Sequence, residues 1–267
     1  MYIFWNYHEA SPGVFDFSSG NHNVAAYIRA VRRYVARLSK EIRPLLCSRG
    51  GPIMMVQVEN EYGSYGNDKT YLHVLHNTWK ANGINVPFYS ADGPTPQMLE
   101  AGGLAGAAIG LDSGSGDDDF ELAKKWYPGV PSFRSETYRG WLTHWKEKWA
   151  KVDTADLKIQ IQYLLEHKKS FNLYVVHGGT NFGFTAGANA FNPKAYEPDI
   201  TSYDYDAPIN EQGMPTPKYF MLRRMISSSM GRALPDLPPA IPQIAIPPVT
   251  ITTFFVLSFV VAAQRNE

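Results

Sequence analysis

The feature that most constrains this sequence is a set of short apolar runs that end in polar residues. The clearest example, residues 50–66, reads GGPIMMVQVENEYGSYG, and its apolar run leads directly into Glu59, Asn60 and Glu61. A continuous apolar run bounded by glycine and proline suits a strand that is buried on both faces. Carboxyl groups are costly to bury unless they are paired or used, and the carboxyl ends of parallel barrel strands carry the chemistry. We therefore predict a buried strand that leads acidic groups into a site; a strand that runs out into a solvated loop is the plainer alternative.

Five further runs have the same character, and helical segments separate most of them. The runs are residues 2–6, 86–90, 107–111, 132–136 and 172–177. Apolar residues recur at three- and four-residue steps over 24–46, 68–82, 153–169 and 216–230. Strands that alternate with helices predict an α/β protein with a parallel sheet or barrel.

The composition favours a carbohydrate site over a polyanion site. Twenty-five basic and 25 acidic residues give a formal net charge of zero, so no basic surplus points to nucleic acid or an anionic membrane. The 16 tyrosines and 6 tryptophans suit sugar binding, because pyranose rings pack on aromatic faces, although ordinary core packing explains any single ring as well. Cys47, the only cysteine, cannot form an internal disulfide and is predicted to be a core residue.

No metal or cofactor is predicted. His73 and His76 lie at i and i+3 of a predicted helix, without further ligands at a suitable spacing. The three acidic residues at 117–119 suit the first turn of a helix better than a calcium loop. The glycine-rich segment 178–183 lacks the lysine and hydroxyl pair of a phosphate-binding loop, so we interpret it as a tight loop at a barrel mouth.

Two glutamates stand at the ends of two different predicted strands. A glycosidase needs one protonated carboxyl group to release the leaving group and, in the retaining case, one ionised carboxylate to attack the anomeric carbon. Glu61 and Glu136 are the candidates for this pair. Asn60 precedes the first and Tyr138 follows the second; an amide can hold a sugar hydroxyl, and a phenol can hold the carboxylate of the nucleophile.

At five blocks the sequence resembles the family 35 glycoside hydrolases, the β-galactosidase family. The block GGPIMMVQVENEYG is similar to the signature of that family. Four further segments resemble other blocks of that family and follow the family's order: FWNYHEASPGVFDFS, RSETYRGWLTHW, NLYVVHGGTNFG and TSYDYDAPINEQG. The resemblance implies a (β/α)8 TIM barrel, no cofactor, and a retaining β-galactosidase that cleaves terminal β-D-galactosyl residues of galactosides or glycans.

The resemblance also implies site residues. Glu61 matches the acid/base and Glu136 the nucleophile of the family. Positions that line the galactose pocket are matched by Tyr2, Asn60, Tyr138, Trp141, Tyr174, Tyr203 and Tyr205. Glu59 also matches a family residue, which we interpret as structural.

The sequence departs from the family pattern at two places in the barrel. Nothing matches the first strand of the family, and its third strand, with a galactose-binding loop, is missing within residues 24–46. We therefore expect an incomplete barrel, with family strands 2 and 4–8 present and strands 1 and 3 missing, and one continuous or kinked helix over 24–46. Two alternatives stay open: a catalytically impaired carbohydrate-binding barrel remnant, and a related barrel glycosidase with a different sugar specificity.

The sequence changes character after residue 230. Residues 234–249 contain six prolines and no helical period, as is typical of a linker. Only about 15 uncharged residues follow, whereas a bilayer crossing needs roughly 20, so we expect a tail or a membrane-adjacent segment and not an anchor. The predicted domains are a barrel at 1–230 and a proline-rich linker with an apolar tail at 231–267. No signal peptide is predicted, whereas the resemblance implies a secreted or periplasmic protein.

Overall fold

The structure is a computed structural model. It describes residues 27–113, 116–183, 185–190, 196–240, 242, 244–245, 247–248 and 250, together with the backbone of 9–11, 14–15 and 24–26. Contacts divide the chain into two units, Met1–Asp236 and Leu237–Glu267. Among the helices that the structure describes, none is long and apolar enough to cross a membrane.

A five-stranded parallel sheet forms the centre of the first unit. Its strands follow one another in chain order: β3 (Val56–Asn60), β4 (Phe88–Asp92), β5 (Ala108–Asp112), β6 (Ser132–Tyr138) and β7 (Phe171–Tyr174). Two short strands that precede them, β1 (Glu9–Ser11) and β2 (Val14–Phe15), pair antiparallel with each other. The predicted parallel α/β architecture is confirmed, and the strand predicted at 2–6 lies outside the described residues.

Four helices separate the five strands of the main sheet, and one further helix lies on either side of them in the chain. They are α1 (Val24–Ile42), α2 (Lys69–Ala81), α3 (Pro96–Gly102), α4 (Asp117–Trp126), α5 (Thr154–Glu166) and α6 (Pro217–Met230). Their ends follow from capping chemistry, since a side-chain oxygen at the N-cap satisfies free backbone N–H groups. Asp68 caps α2 and Asp153 caps α5, while α6 begins with a proline and ends at Gly231 in the left-handed region.

The predicted helix over 24–46 is present as one uninterrupted helix, α1, followed by two short 3-10 turns. The prediction that Cys47 is a core residue is wrong, because its side chain is exposed. Leu46, one position earlier, takes the fully buried place between the two turns. Leu46 has an extended backbone and bridges Ile53, whereas Cys47 begins the second 3-10 turn, so the two adjacent side chains point in different directions.

The predicted strand over residues 53–56, buried on both faces, is also wrong. β3 begins only at Val56, while Met54 is 69% exposed and Ile53 forms a single bridge with Leu46. In the described part of the chain β3 is an edge strand that pairs only with β4, so Val58 is its only buried residue. An edge strand lacks the second neighbour that would cover it.

Two apolar clusters hold the helices on the sheet. The first joins α1 and α2 to β3 and β4 through residues that include Val31, Val35, Leu72, Leu75 and Phe88. The second joins α3, α4, α5 and α6 to β5 through residues that include Leu99, Ile109, Leu157, Ile161 and Met221. Burial of such side chains contributes about 1.5–3 kcal/mol each, so these clusters fix the sheet from which the site is built.

After β7 the chain forms two small antiparallel pairs. β8 (Gly179–Thr180) pairs with β11 (Ser202–Tyr203), and β9 (Ala188–Ala190) pairs with β10 (Tyr196–Pro198). The segment that follows β11 then packs its backbone against the segment that follows β6, where Gly140 faces the carbonyl of Tyr205.

Candidate active site

Polar side chains lie at the carboxyl end of all five strands of the main sheet. In chain order they are Asn60, Glu61, Asp92, Asp112, Glu136, Tyr138 and Tyr174. Because the strands are parallel, these ends meet at the same edge of the sheet. Asp112 pairs with Glu136 across β5 and β6, and Tyr138 pairs with Tyr174 across β6 and β7.

Three of these side chains form a carboxylate cluster. Glu61, Asp112 and Glu136 each place one carboxylate oxygen so that the three oxygens lie within 4.8 Å of one another. Glu61 follows β3 in the left-handed region, at φ 52° and ψ 29°, which is uncommon for a residue with a side chain. Its N–H donates a 2.7 Å hydrogen bond to the carbonyl of Ala91 and so keeps it beside β4.

The surroundings of Glu61 favour its protonated form. Burial and then the negative charge of Asp112 raise the pKa of Glu61 to about 7, with a hydrogen bond to Asp112 and the charge of Glu136 adding to the rise. A hydrogen bond from Asn60 acts in the opposite direction. A carboxyl group with a pKa near neutrality can both donate and accept a proton under ordinary conditions.

Glu136 is held by the phenol of Tyr138. The Tyr138 hydroxyl oxygen lies 3.1 Å from Glu136 Oε2 and 2.5 Å from Asp112 Oδ1. Burial and the charge of Asp112 raise the pKa of Glu136, whereas the hydrogen bond from Tyr138 lowers it. Burial and the bond to Asp112 raise the pKa of Tyr138, so the phenol keeps its proton and acts as the donor.

A hydrogen bond from Gln57 fixes the side-chain amide of Asn60, and a bond to Glu59 fixes its backbone N–H. Gln57 Nε2 donates to Asn60 Oδ1 over 2.8 Å, and the Tyr89 hydroxyl donates to Gln57 Oε1 over 3.0 Å. Glu59 accepts the N–H of Asn60 through Oε1 and the hydroxyl of Tyr71 through Oε2, at 3.0 and 2.5 Å. These contacts agree with a structural role for Glu59, and they leave the amide NH₂ of Asn60 as the donor near Glu61.

Five aromatic residues expected in the galactose pocket are brought together beside the carboxylates. The ring of Tyr138 lies 5.4 Å from Trp141 and 5.9 Å from Tyr174, measured between centroids. Tyr205 lies 5.6 Å from Tyr174 and stacks on Tyr203 at 5.2 Å. Trp141 is 45% exposed, whereas Tyr205 is only 4% exposed and supports the other rings from below. Tyr2, the remaining expected pocket residue, lies outside the described residues.

A buried lysine on α6 ties the aromatic cluster to the sheet. Lys218 Nζ donates to the carbonyl of Arg139 at 2.6 Å, to the carbonyl of Asp206 at 2.9 Å and to Asp206 Oδ2 at 2.5 Å. A Cβ at Gly140 would lie 1.5 Å from the carbonyl oxygen of Tyr205, so only glycine permits this approach. The segments that carry Tyr138 and Tyr205 are therefore fixed against each other.

Sequence reasoning missed Asp92 and Asp112, the acids that end β4 and β5. Asp92 is 2% exposed, accepts the N–H of Gly63 at 2.7 Å and does not belong to the carboxylate cluster. Burial raises its pKa to about 7, although the Gly63 hydrogen bond and the charge of Lys69 oppose the rise. Both acids could have been found by the rule that selected Glu61 and Glu136, namely a polar residue directly after an apolar strand.

Within the part of the chain that the structure describes, the carboxylate cluster is also the only group of three or more His, Cys, Asp or Glu side chains that is close enough together to bind a metal ion. Acidic groups are often arranged in this way without an ion. The hydrogen bond that Tyr138 donates to Asp112 and the raised pKa of Glu61 instead indicate a role in holding protons.

Comparison with known proteins decides the family. The family model described as Glycosyl hydrolases family 35 matches residues 22–229. This chain belongs to glycosyl hydrolase family 35. The resemblance seen in the sequence blocks is thereby confirmed for most of the first unit.

Several curated relatives of this family 35 chain are named as β-galactosidases. It is 45% identical over 210 residues to Beta-galactosidase 17 of Arabidopsis thaliana, an alignment that covers 75% of this chain and 30% of that protein. It is 34% identical over 308 residues to Beta-galactosidase of Mus musculus, an alignment that covers 95% of this chain and 46% of that protein. It is 33% identical over 304 residues to Beta-galactosidase of Xanthomonas manihotis, an alignment that covers 94% of this chain and 49% of that protein. The chain therefore spans less than half the length of each of these relatives.

Proposed function

We propose that this chain carries the catalytic site of a retaining β-galactosidase that releases terminal β-D-galactosyl residues. The observation that carries the mechanism is the close approach of Glu61 and Glu136, with carboxylate oxygens within 4.8 Å. Retaining glycosidases hold their two carboxyl groups about 5–5.5 Å apart, whereas inverting enzymes need roughly 6.5–9.5 Å to admit a water molecule. The names of the curated relatives support galactose as the sugar.

In the first step Glu136 is the nucleophile and Glu61 is the acid. The ionised carboxylate of Glu136 attacks the anomeric carbon, and the bond from that carbon to the leaving-group oxygen breaks. Glu61 gives its proton to the departing oxygen, so the aglycone leaves as a neutral alcohol. A pKa near 7 keeps a large share of Glu61 protonated in mildly acidic solution.

In the second step the covalent galactosyl ester is hydrolysed. Glu61, now ionised, takes a proton from a water molecule, and the water oxygen attacks the anomeric carbon as the bond to Glu136 breaks. Two inversions at that carbon give a product with the β configuration of the substrate. Glu61 ends the cycle protonated and Glu136 ends it ionised, as both began.

The surrounding residues suit a sugar ring. Trp141 offers a half-exposed indole on which the apolar face of galactose can stack, and Tyr138, Tyr174 and Tyr203 add hydroxyl groups at its edge. Asn60 presents amide N–H groups next to Glu61, where a sugar hydroxyl can accept one.

A carbohydrate-binding remnant without turnover is the second candidate. It is favoured by the edge position of β3 within the described residues. In that case the rings would hold galactose while the carboxylates were too mobile to react.

The deciding experiment measures hydrolysis of nitrophenyl glycosides by the purified chain. We expect release of nitrophenol from the β-D-galactoside, less from the β-D-glucoside, and none with the matched variant Glu136→Gln. A thermal shift with galactose but no turnover would favour the remnant. Faster hydrolysis of another glycoside would favour a related enzyme with a different sugar specificity. A folded chain that neither bound galactose nor hydrolysed any of the glycosides would refute the proposal.

A further inference from the structure

We infer that Asp112 is a positioning residue that keeps a proton on Glu61 and draws the phenol proton of Tyr138 away from Glu136. The inference rests on the proposed roles of the two glutamates. Asp112 ends β5 and pairs with Glu136 of β6, so the parallel sheet itself places it between the two catalytic side chains.

The first argument concerns the single proton of the Tyr138 hydroxyl. That oxygen lies 2.5 Å from Asp112 Oδ1 but 3.1 Å from Glu136 Oε2, and one hydroxyl can donate only one strong hydrogen bond. Asp112 is therefore its main acceptor. Glu136 receives the weaker interaction, enough to orient its carboxylate while leaving more of its negative charge available for attack.

The second argument concerns Glu61. Glu61 and Asp112 each place a carboxyl oxygen within 4.8 Å of the other, and two ionised carboxylates at that distance repel each other. The Tyr138 hydroxyl donates to Asp112 Oδ1, so Asp112 is held as an acceptor and Glu61 is the member of the pair that carries a proton. The raised pKa of Glu61 agrees with this distribution, with Asp112 as the main charged contributor after burial.

The third argument concerns the groups that surround the cluster. From β4, Tyr89 lies near Glu136, and Asp92 lies near Asp112 but acts on neither glutamate; Tyr138 faces the cluster from β6 and Tyr205 from the segment after β11. All the charges that shift the pKa of Glu61 and Glu136 are carboxylates, with Asp112 the larger contributor at both. Removing the charge of Asp112 should therefore lower the pKa of Glu61 more than removing any other charge near it.

The variant Asp112→Asn removes the charge while keeping the shape and an oxygen that can accept from Tyr138. The pKa of Glu61 should then fall toward its ordinary value of 4.5, because its amide neighbour no longer repels the ionised form. The alkaline limb of the pH profile of kcat/KM reports loss of the acid, so it should move down by about one pH unit or more. Asp92→Asn is the matched control, since Asp92 ends the neighbouring strand but does not contact Glu61, and it should leave that limb in place.

A direct titration separates this inference from the proposed function. Carboxyl ¹³C NMR of the labelled chain, with the Glu61 signal assigned by its loss in Glu61→Gln, should show Glu61 titrating near neutrality and shifting down in Asp112→Asn. An inactive chain would refute the proposed function, yet this shift would still support the link between Asp112 and Glu61. A Glu61 signal that titrates near its ordinary value in the unmodified chain would overturn the inference. So would an unchanged titration in a folded Asp112→Asn, or in Asp112→Ser if the first variant does not fold.

Discussion

The phenol oxygen of Tyr138 lies 3.1 Å from Oε2 of Glu136, two residues earlier on the same strand. Side chains at i and i+2 of a strand point to the same face, so the spacing of these residues in the sequence is enough to put the phenol beside the carboxylate. This hydrogen bond lowers the pKa of Glu136, against the rise from burial and from Asp112.

Tyr138→Phe should therefore weaken the nucleophile. Without the hydroxyl the pKa of Glu136 rises further, and because attack needs the ionised form, the acidic limb of kcat/KM should move to higher pH. Because Asp112 is the main acceptor of the phenol proton, loss of the weaker bond to Glu136 should cost about 0.5–1.5 kcal/mol, which is a decrease of about 2- to 10-fold in kcat/KM. An acidic limb that stayed in place, measured with a nitrophenyl galactoside, would show that the phenol does not act on Glu136.

Asp92 should make the folded state less stable as the pH rises. Its pKa is about 7 in the folded chain against an ordinary 3.8, so the folded state binds more protons than the unfolded state between these values. The free energy of unfolding should thus decrease as the pH rises through that window and level off above it. Glu61 adds a change of the same sign, from 4.5 to about 7.

Urea unfolding of the chain and of Asp92→Asn, compared at about pH 5 and about pH 8, tests this linkage. The unmodified chain should have the lower midpoint at the higher pH, and the variant should show a smaller difference between the two. A midpoint that increased with pH in the unmodified chain would mean that Asp92 is ionised and stabilised in the fold.

Lys218→Met should destabilise the fold and the site together. The ammonium group is buried and donates to two carbonyls and to the Asp206 carboxylate, and all three acceptors lose this charged donor in the variant. Breaking a buried ion pair from one side costs about 3–5 kcal/mol. Lys151→Met is the matched control, because Lys151 contacts the same Asp206 carboxylate but is 69% exposed, and it should cost less than about 1 kcal/mol. Equal losses of stability in urea unfolding would contradict this account.

Gly140→Ala should displace the aromatic cluster from the carboxylates. A methyl group there would lie 1.5 Å from the carbonyl oxygen of Tyr205, a backbone atom that cannot turn aside. Weaker galactose binding with a lower melting temperature is expected. Gly179→Ala is the control, since a methyl group at that position would meet no other part of the described chain within 4 Å and the backbone there is not left-handed. If both variants bound galactose equally, the close approach would be unimportant.

The sequence predicted most elements of the sheet and helices because their signals are local. The helices capped by Asp68 and Asp153 follow from periodicity and capping, and the strand that carries Glu136 follows from its apolar run. The predicted strand over 53–56 was wrong because burial depends on whether a strand has neighbours on both sides, which an apolar run does not record. The burial of Cys47 was predicted wrongly for a similar reason, because the apolar context does not show that a 3-10 turn begins at Cys47 and that Leu46 is the buried residue.

The site was predicted less completely than the fold. Glu61 and Glu136 are strand-end acids that also lie in blocks resembling the family, whereas Asp112, which ends the strand AIGLD, lies outside those blocks. Its importance depends on the register of β5 against β6, which sets it opposite Glu136. Tyr205 matches a pocket position of the family, but only the structure shows that its ring is buried and stacked on Tyr203.

The central claim, a double displacement by Glu136 with Glu61 as acid/base, is tested most directly by azide rescue of two variants on a nitrophenyl galactoside. Glu61→Ala should lose about 10²–10⁴-fold in turnover, because general acid–base catalysis is gone, while the good leaving group still lets Glu136 form the galactosyl ester. Azide should then restore turnover and yield β-galactosyl azide. Glu136→Gln should be inactive with or without azide. Rescue of Glu136→Gln, or no rescue of a folded Glu61→Ala, would contradict the assignment of the two roles.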